Sequence, residues 1–291
     1  MKTLSVVVAS KNTQATIRQC LDALIKQSQG DEIEIVVVDA STDGSAEIAR
    51  QFKQVEVIQE DPARLVPQLW KKGIELTTGQ SVVFTTANFI PADDWVAQLL
   101  ALLQSDYAAI GGVFEKLAPD KLSQWAVYFL RYSAYQPSIP SGSASQLAAD
   151  NAVYRRWVFE KYADLLADGF WEHEVNRRLK QDGYSLLLTS TLKVSMGYFT
   201  STGEFFRQRF LHGRSFGAER VARTTATRRI FYILASPLIP LILLARVTRN
   251  VLKYSSHSVK LFLSLPWLLF YVTGWALGEL TGYLFGNPQH A

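Results

Sequence analysis

The chain has 291 residues, 48% of them hydrophobic and 19% charged, and a single cysteine, Cys20. That composition excludes a disordered chain, an intramolecular disulfide framework and a cysteine-built zinc site. The formal net charge of +4 is unevenly spread: residues 1–200 carry 19 Lys/Arg against 23 Asp/Glu, residues 201–260 carry 11 against 2, and the last 31 carry one Glu and no basic residue. The first two-thirds therefore reads as an ordinary soluble domain, and the remainder as a segment that meets an anionic surface.

Leu4–Ala9 is too short an apolar run for a signal peptide, broken as it is by Lys11 and Asn12, and reads as a buried strand. Ile17, Leu21, Leu24 and Ile25 recur at helical spacing, and Ile33–Val38 is a second β-branched strand. Val55–Ile58 and Ser81–Thr85 are further strands, separated by a helix carrying Leu65, Leu69, Trp70 and Ile74 that stops near Gly79. Pro91-Ala92-Asp93-Asp94 opens a helix with Trp95, Leu99 and Leu102, an Asp being placed to cap it. Tyr107–Phe114 is one more strand, and Pro137–Ser145, rich in Pro, Ser and Gly, reads as a flexible loop of the kind that covers a site. Helices are predicted over Asn151–Leu166 and Trp171–Gln181, and strands over Tyr184–Leu188 and Lys193–Met196. The alternation predicts an α/β fold, an open and mostly parallel sheet flanked by helices.

Open α/β sheets bind ligands beyond the carboxyl ends of their strands. Two loops leave such ends here, Ser10-Lys11-Asn12 and Asp39-Ala40-Ser41-Thr42-Asp43-Gly44-Ser45. A strand-end Asp can accept hydrogen bonds from a base N–H or ribose hydroxyls, and Thr42 or Asp43 can cap the next helix. A capped turn alone would also explain the second string. Neither strand is followed by a glycine-rich dinucleotide fingerprint or a phosphate loop ending in Gly-Lys-Ser, which disfavours hydride transfer and ATP hydrolysis by those routes.

Ser5–Val8 leading to Asn12, Cys20-Leu21 through Gln27, Ile35–Asp39 and Ser41–Ser45 together resemble the opening of family 2 glycosyltransferases. The resemblance continues through Gly73-Ile74, Gly79, Phe84–Asn88, Pro91–Trp95, Asp150–Arg156 and Glu172–Leu179, over about residues 4–220. It implies a GT-A fold, a nucleotide-diphosphate sugar as donor, and Asp39 at the nucleotide base with Ser10, Asn12 and Ser41 around it. The loop is one residue shorter than the common Asp-Asp-Gly-Ser-Thr-Asp form and lacks its second carboxylate.

Relatives usually end the fourth strand with Asp-x-Asp, which holds Mg²⁺ or Mn²⁺ against the sugar diphosphate, because charge developing on the leaving group must be neutralised. Here Thr86 and Asn88 stand at those two places and offer only neutral oxygens. Three readings are open: a weakly held cation, an Arg or Lys in its place, or lost catalysis. The resemblance also implies a carboxylate base before or at the start of a helix. Glu172 matches it within Phe170–Leu179, Glu174 is offset on the helix, and His173 is a second proton acceptor. Asp150 and Asn151 are expected on the acceptor side. Trp125, Tyr128, Tyr132 and Tyr135 fit either a sugar-stacking platform or the core.

Arg207, Arg209, Arg214, Arg220, Arg223, Arg228 and Arg229 are interleaved with Phe205, Phe206, Phe210 and Phe216. Such a belt suits nucleic acid or lipid, and the apolar segments after it favour lipid with no nucleic acid. Ile230–Ala245 is uncharged, and Leu261–Phe285 is long enough to span and broken only by Glu279. Arg246, Arg249, Lys253 and Lys260 between them would lie outside if both segments crossed, so the first reads as re-entrant or interfacial. Glu279, between Gly278 and Gly282, is placed to meet a basic partner or to pack a helix interface. The division expected is a transferase domain over 1–220 and a membrane-associated region over 221–291. The function expected is inverting transfer to a lipid-linked or envelope-polysaccharide acceptor at the cell membrane, with the domain on the cytoplasmic face. The alternative is a catalytically silent nucleotide- or partner-binding member. Processive synthesis is disfavoured by the missing Gln-x-x-Arg-Trp motif.

Overall fold

The computed structural model describes residues 2–28, 33–117, 120–197, 201–222, 224–254 and 257–286. The chain folds as two compact units, Met1–Leu117 with Tyr135–Tyr198, and Ala118–Ala134 with Phe199–Ala291. Packing thus divides the chain at other places than the 1–220 and 221–291 regions read from charge and hydropathy.

The first unit is built on strands buried on both faces. β1 (Leu4–Ser10) is buried throughout, and its apolar, β-branched run pairs in parallel with β2 (Ile33–Asp39). Between them α1 (Ile17–Gln27) buries Ile17, Cys20, Leu21 and Leu24, one helical face. Next come α2 (Ser45–Ala49), β3 (Val55–Gln59), α3 (Val66–Leu76), β4 (Ser81–Thr86), β5 (Phe89–Pro91), α4 (Trp95–Leu102) and β6 (Ala109–Lys116). α3 lies close against β1 at Gly73, where a Cβ would stand 2.1 Å from Val7 Cγ1. After α5 (Leu122–Tyr132), which belongs to the second unit, come β7 (Gly142–Ser143), β8 (Asn151–Arg155), α6 (Arg156–Lys161), α7 (Glu172–Gln181) and β9 (Leu186–Met196).

These strands form one nine-stranded mixed sheet in the order β3-β2-β1-β4-β8-β6-β9-β5, with β7 on β9. β3-β2-β1-β4 and β6-β9 are parallel, whereas β8 runs antiparallel between β4 and β6. The start of the helix predicted over Asn151–Leu166 is corrected here. Asn151–Arg155 is a central strand, and only Arg156–Lys161 and a short 3₁₀ turn at Ala163–Leu166 are helical. A short buried apolar run has no periodicity to separate strand from helix. The two late strands are one continuous strand, β9. Part of the Pro137–Ser145 segment is pinned to the sheet: Gly142–Ser143 pairs with β9, and the Ser190 amide donates to Ser141 Oγ at 3.0 Å.

In the second unit, α5 packs with α8 (Thr202–Ala222), α9 (Ala226–Ala235), α10 (Ile239–Tyr254) and α11 (Ser258–Phe285). α9 and α10 join through a 3₁₀ turn containing Pro237, and Ala226–Tyr254 and Ser258–Phe285 are each long and apolar enough to cross a membrane. α8 and α11 approach until their backbones nearly touch. A Cβ at Gly217 would stand 2.3 Å from the Glu279 carbonyl oxygen, and one at Gly278 would stand 2.0 Å from that of Phe210. Glu279, 3% exposed, accepts from Arg220 at 2.9 Å, from Trp275 Nε1 at 2.7 Å and from the Tyr283 hydroxyl. Both roles expected of the Gly278–Gly282 stretch, charge pairing and helix packing, are therefore present. Arg223 of the basic belt lies outside the described residues.

Candidate active site

β1, β2 and β4 end level with one another: Ser10 stands opposite Asp39, and Ala9 opposite Thr86. The chain passes from β1 to β2 on one side and places β4 on the other, the reversal at which an open sheet leaves a crevice at its carboxyl ends.

The polar residues singled out in the first two loops meet there. Asp39 is fully buried; its Oδ1 accepts from the Ser10 hydroxyl at 2.5 Å and the Ser41 hydroxyl at 2.7 Å, and its Oδ2 accepts from the Ser41 amide at 3.1 Å. Asn12 sits in the left-handed region at φ 54°, which Asn tolerates better than most residues. Its amide donates to Ser41 Oγ at 2.8 Å, and its Oδ1 accepts from the Thr42 amide at 2.9 Å. Asp43 Oδ1 accepts from the Ser45 amide at 3.0 Å, but the N-cap position of α2 is Gly44, so neither Thr42 nor Asp43 is the cap residue. Lys11 leans the other way and donates to the carbonyls of Pro62 at 3.0 Å and Arg64 at 2.6 Å, tying down the loop after β3.

β4 delivers Thr86, almost fully buried, and then Asn88, half-buried. The Thr85 carbonyl accepts from Trp70 Nε1 at 3.1 Å, and the Ala87 amide donates to the Ala9 carbonyl at 3.0 Å, so this strand end is held from both sides. Asp94 occupies the N-cap position of α4, yet its side chain accepts from Gln98 Nε2 at 3.0 Å instead of from the helix amides. Asp93 is exposed and lies 3.7 Å from Lys26.

β8 enters beside this end because Asn151 pairs with Thr85. Asn151 is fully buried and its amide is committed internally: Oδ1 accepts from Trp95 Nε1 at 2.9 Å, and Nδ2 donates to the carbonyls of Val113 and Leu192, each at 3.1 Å. Asp150, one residue earlier, keeps a small exposed surface of 7%. Farther along β8, Arg155 and Arg156 serve as struts at the opposite end. Arg155 reaches the Leu103 carbonyl at 2.6 Å, and Arg156 reaches the Ile74 carbonyl at 3.3 Å.

α7 carries Glu172 in its first turn. Phe170 anchors the helix start by stacking on Phe84 of β4, ring centroids 4.6 Å apart. Glu172 shares a face with Asn176, four residues on. Asn176 is fully buried; it accepts from the Tyr154 hydroxyl at 2.9 Å and donates to the Leu147 carbonyl at 3.0 Å. That lock turns the Glu172 face inward while His173 stays exposed, its ring 6.4 Å from Trp171. Burial pushes the Tyr135 phenol up, and the charges of Glu172 and then Asp150 push it further. Tyr154 is raised too, by burial and then by Glu172, against the opposing hydrogen bond with Asn176. Both phenols therefore stay protonated at neutral pH. Sequence reasoning missed Asn176, visible there only as a polar residue on a helix face, and placed Tyr135 only among aromatics for stacking or the core. The other three of that group, Trp125, Tyr128 and Tyr132, are buried in the second unit.

Among the described residues no three His, Cys, Asp or Glu side chains gather to hold a metal ion. The neutral oxygens of Thr86 and Asn88 do not fit a tightly held Mg²⁺ or Mn²⁺, which demands carboxylates.

The architecture is that of GT-A nucleotide-sugar transferases. A mannosyltransferase from Pyrobaculum calidifontis, PcManGT, solved with GDP-Man and Mn²⁺, aligns over 97% of this chain and 87% of its own, with TM-score 0.58 and 17% identity. TarS from S. aureus (residues 1–349), solved with UDP-GlcNAc, aligns over 99% and 93%, with TM-score 0.54 and 13% identity. Residues 5–163 match the model of glycosyl transferase family 2, and the chain belongs to that family. Among curated relatives, EpsH of Bacillus subtilis, named a glycosyltransferase, is 36% identical over 98 residues, 32% of this chain and 26% of that relative.

Proposed function

We propose that this protein is an inverting glycosyltransferase that moves a sugar from a nucleotide-diphosphate sugar to a lipid-linked or envelope-polysaccharide acceptor, its first unit on the cytoplasmic side of the cell membrane. The observation that carries this reading is that β8 brings Asp150 to the same sheet end as the Asp39 network, where its charge and that of Glu172 both act on Tyr135. Glu172 takes the proton of the acceptor hydroxyl as it attacks the anomeric carbon, while the bond to the diphosphate breaks on the opposite face. Asp150 orients acceptor or sugar hydroxyls, and the buried Asn151 amide fixes its backbone. His173, exposed on another side of α7, is left outside the proton path. Asp39 orients the Ser10 and Ser41 hydroxyls and, through Ser41, Asn12, so that together they form the floor for the base and ribose; Thr86 and Asn88 meet the sugar diphosphate with neutral dipoles. No step is routed through a cation, because the donor set does not fit one.

Glu172→Gln keeps shape and hydrogen-bonding capacity but removes the proton acceptor. Transfer from a panel of UDP-, GDP- and dTDP-sugars should fall at least about a hundredfold, with donor affinity by calorimetry nearly unchanged. Glu174→Gln should lose much less. Undiminished transfer in Glu172→Gln refutes the assignment. The neutral Thr86 and Asn88 favour one second reading, a silent nucleotide binder, and nucleotide binding without turnover of any donor by the wild type would establish it. EDTA should leave donor affinity unchanged within error; loss of binding and transfer on chelation would restore a cation to the site.

A further inference from the structure

One guanidinium in the second unit has a buried nitrogen without a hydrogen-bond partner among the described residues. Arg209 of α8 lies face-on to Trp275 of α11, its Cζ 4.2 Å from the ring centroid, a geometry in which the indole quadrupole favours a cation. The residue is partly exposed, yet its Nε is buried and has no hydrogen-bond partner among the described residues. Leaving such a donor unsatisfied is costly, and for a charged group more so. The carboxylate that Trp275 itself engages, Glu279, is not available to it. Both Glu279 oxygens are taken, one by Arg220 and Tyr283 and the other by Trp275 Nε1. Burial first, and then the charge of Arg131 on α5, push Arg209 down to about 9. Cations therefore gather at one place in this unit. On α11, exposed Phe270 stacks on Phe206 of α8, ring centroids 4.4 Å apart, and exposed Phe262 and Leu263 lie farther along the same helix.

The structure assigns Arg209 to binding the phosphate group of an amphiphile whose apolar part lies along the exposed face of α11. A guanidinium fork matches a phosphate oxygen pair, and the aromatic platform of Trp275 fixes its plane before any ligand arrives. The inference does not depend on the transferase reading, since it concerns only the second unit.

The test is calorimetric titration of the full chain in a neutral detergent with three probes: dihexanoyl phosphatidic acid below its micellar concentration, dihexanoylglycerol and inorganic phosphate. Saturable binding is expected for phosphatidic acid, none for the diacylglycerol, and affinity for inorganic phosphate should be at least about tenfold weaker. Arg209→Met, which keeps the length and the contact with Trp275, should weaken phosphatidic acid binding by about tenfold or more. Arg209→Lys restores charge without the fork and should fall between the two; it decides the matter if Arg209→Met does not fold by circular dichroism. Arg228→Gln, on the exposed belt, should change affinity less than about twofold. Equal losses in Arg209→Met and Arg228→Gln would mean diffuse attraction and overturn the site. So would wild-type affinity in both Arg209 variants, or inorganic phosphate binding as tightly as the amphiphile.

Discussion

Asp39 shows how a residue can be central to a ligand pocket without touching open space. Its carboxylate is fully buried; it holds the Ser10 hydroxyl, also fully buried, and the Ser41 hydroxyl, which in turn holds the backbone of the half-exposed Asn12 loop. Asp39→Ala would leave two hydroxyl donors without their acceptor and free the Asn12 loop from its anchor. Unsatisfied buried donors cost about 1–3 kcal/mol. The loss should be read largely as weaker nucleotide affinity, on the order of tenfold or more, with Asp39→Asn intermediate. Calorimetry with UDP and GDP measures it, and an unchanged affinity would move the base pocket elsewhere. The residue types at this pocket were legible because strand-end loops are short and local. The inward turn of Glu172 was not, since it depends on Tyr154 and Leu147 holding Asn176, residues of β8 and of the segment just before it.

At the scale of elements, the parallel β1–β4 core could be read from apolar runs of strand length, whereas β8 was hidden because its five residues carry no period. The join of α5 to helices some seventy residues later was also invisible, since nothing local in Leu122–Tyr132 names its partner. Two contacts test element packing. Glu34 of β2 accepts from Ser5 Oγ at 2.6 Å and from the amides of Thr78 at 2.6 Å and Gly79 at 2.9 Å, joining β1, β2 and the loop before β4. Partial burial would raise its pKa, but these donors outweigh it and hold the carboxyl below its usual value. A depressed folded-state value means that the stabilisation is complete above the unfolded pKa of about 4.3 and is lost as pH falls through the folded one. Glu34→Gln should therefore be less stable than wild type at neutral pH, with the gap in melting temperature closing in acid. A gap that is constant with pH would deny the ionised carboxylate this role. In the second unit, Gly217→Ala would drive a methyl into the Glu279 carbonyl and should destabilise by about 1–3 kcal/mol. Gly203→Ala, with nothing within 4 Å, should be neutral or slightly stabilising. Equal melting temperatures for the two variants in detergent would mean that the α8–α11 contact is not tight.

For the whole molecule, the proposed membrane attachment turns on the apolar helices of the second unit. α11 has 28 residues and, at 1.5 Å per residue, is about 42 Å long against a hydrocarbon core of about 30 Å. Phe285 is 75% exposed, Val259 68% and Leu234 74%, a spread of apolar surface that a soluble monomer would rarely leave in water. The buried charge on α11, Glu279, is already matched by Arg220, which lowers the cost of placing that helix in an apolar medium. The segment 226–254 has the length to cross as well, but Arg246, Arg249 and Lys253 near its end, with Lys260 beyond, would then all sit on the outer side. In the proposed orientation, a crossing α11 with an interfacial first segment would keep the basic residues at the cytoplasmic headgroups, where each Lys or Arg gains about 1 kcal/mol. Washing membranes from expressing cells with alkaline carbonate and then with high salt separates the alternatives. Salt removes charge-bound protein, carbonate removes surface helices, and neither removes a spanning one. The full chain should stay in the pellet after both washes, and truncation before Ser258 should make it extractable by carbonate. Release of the full chain by carbonate would instead put both segments on the surface, with the Arg belt and the exposed apolar faces as its attachment.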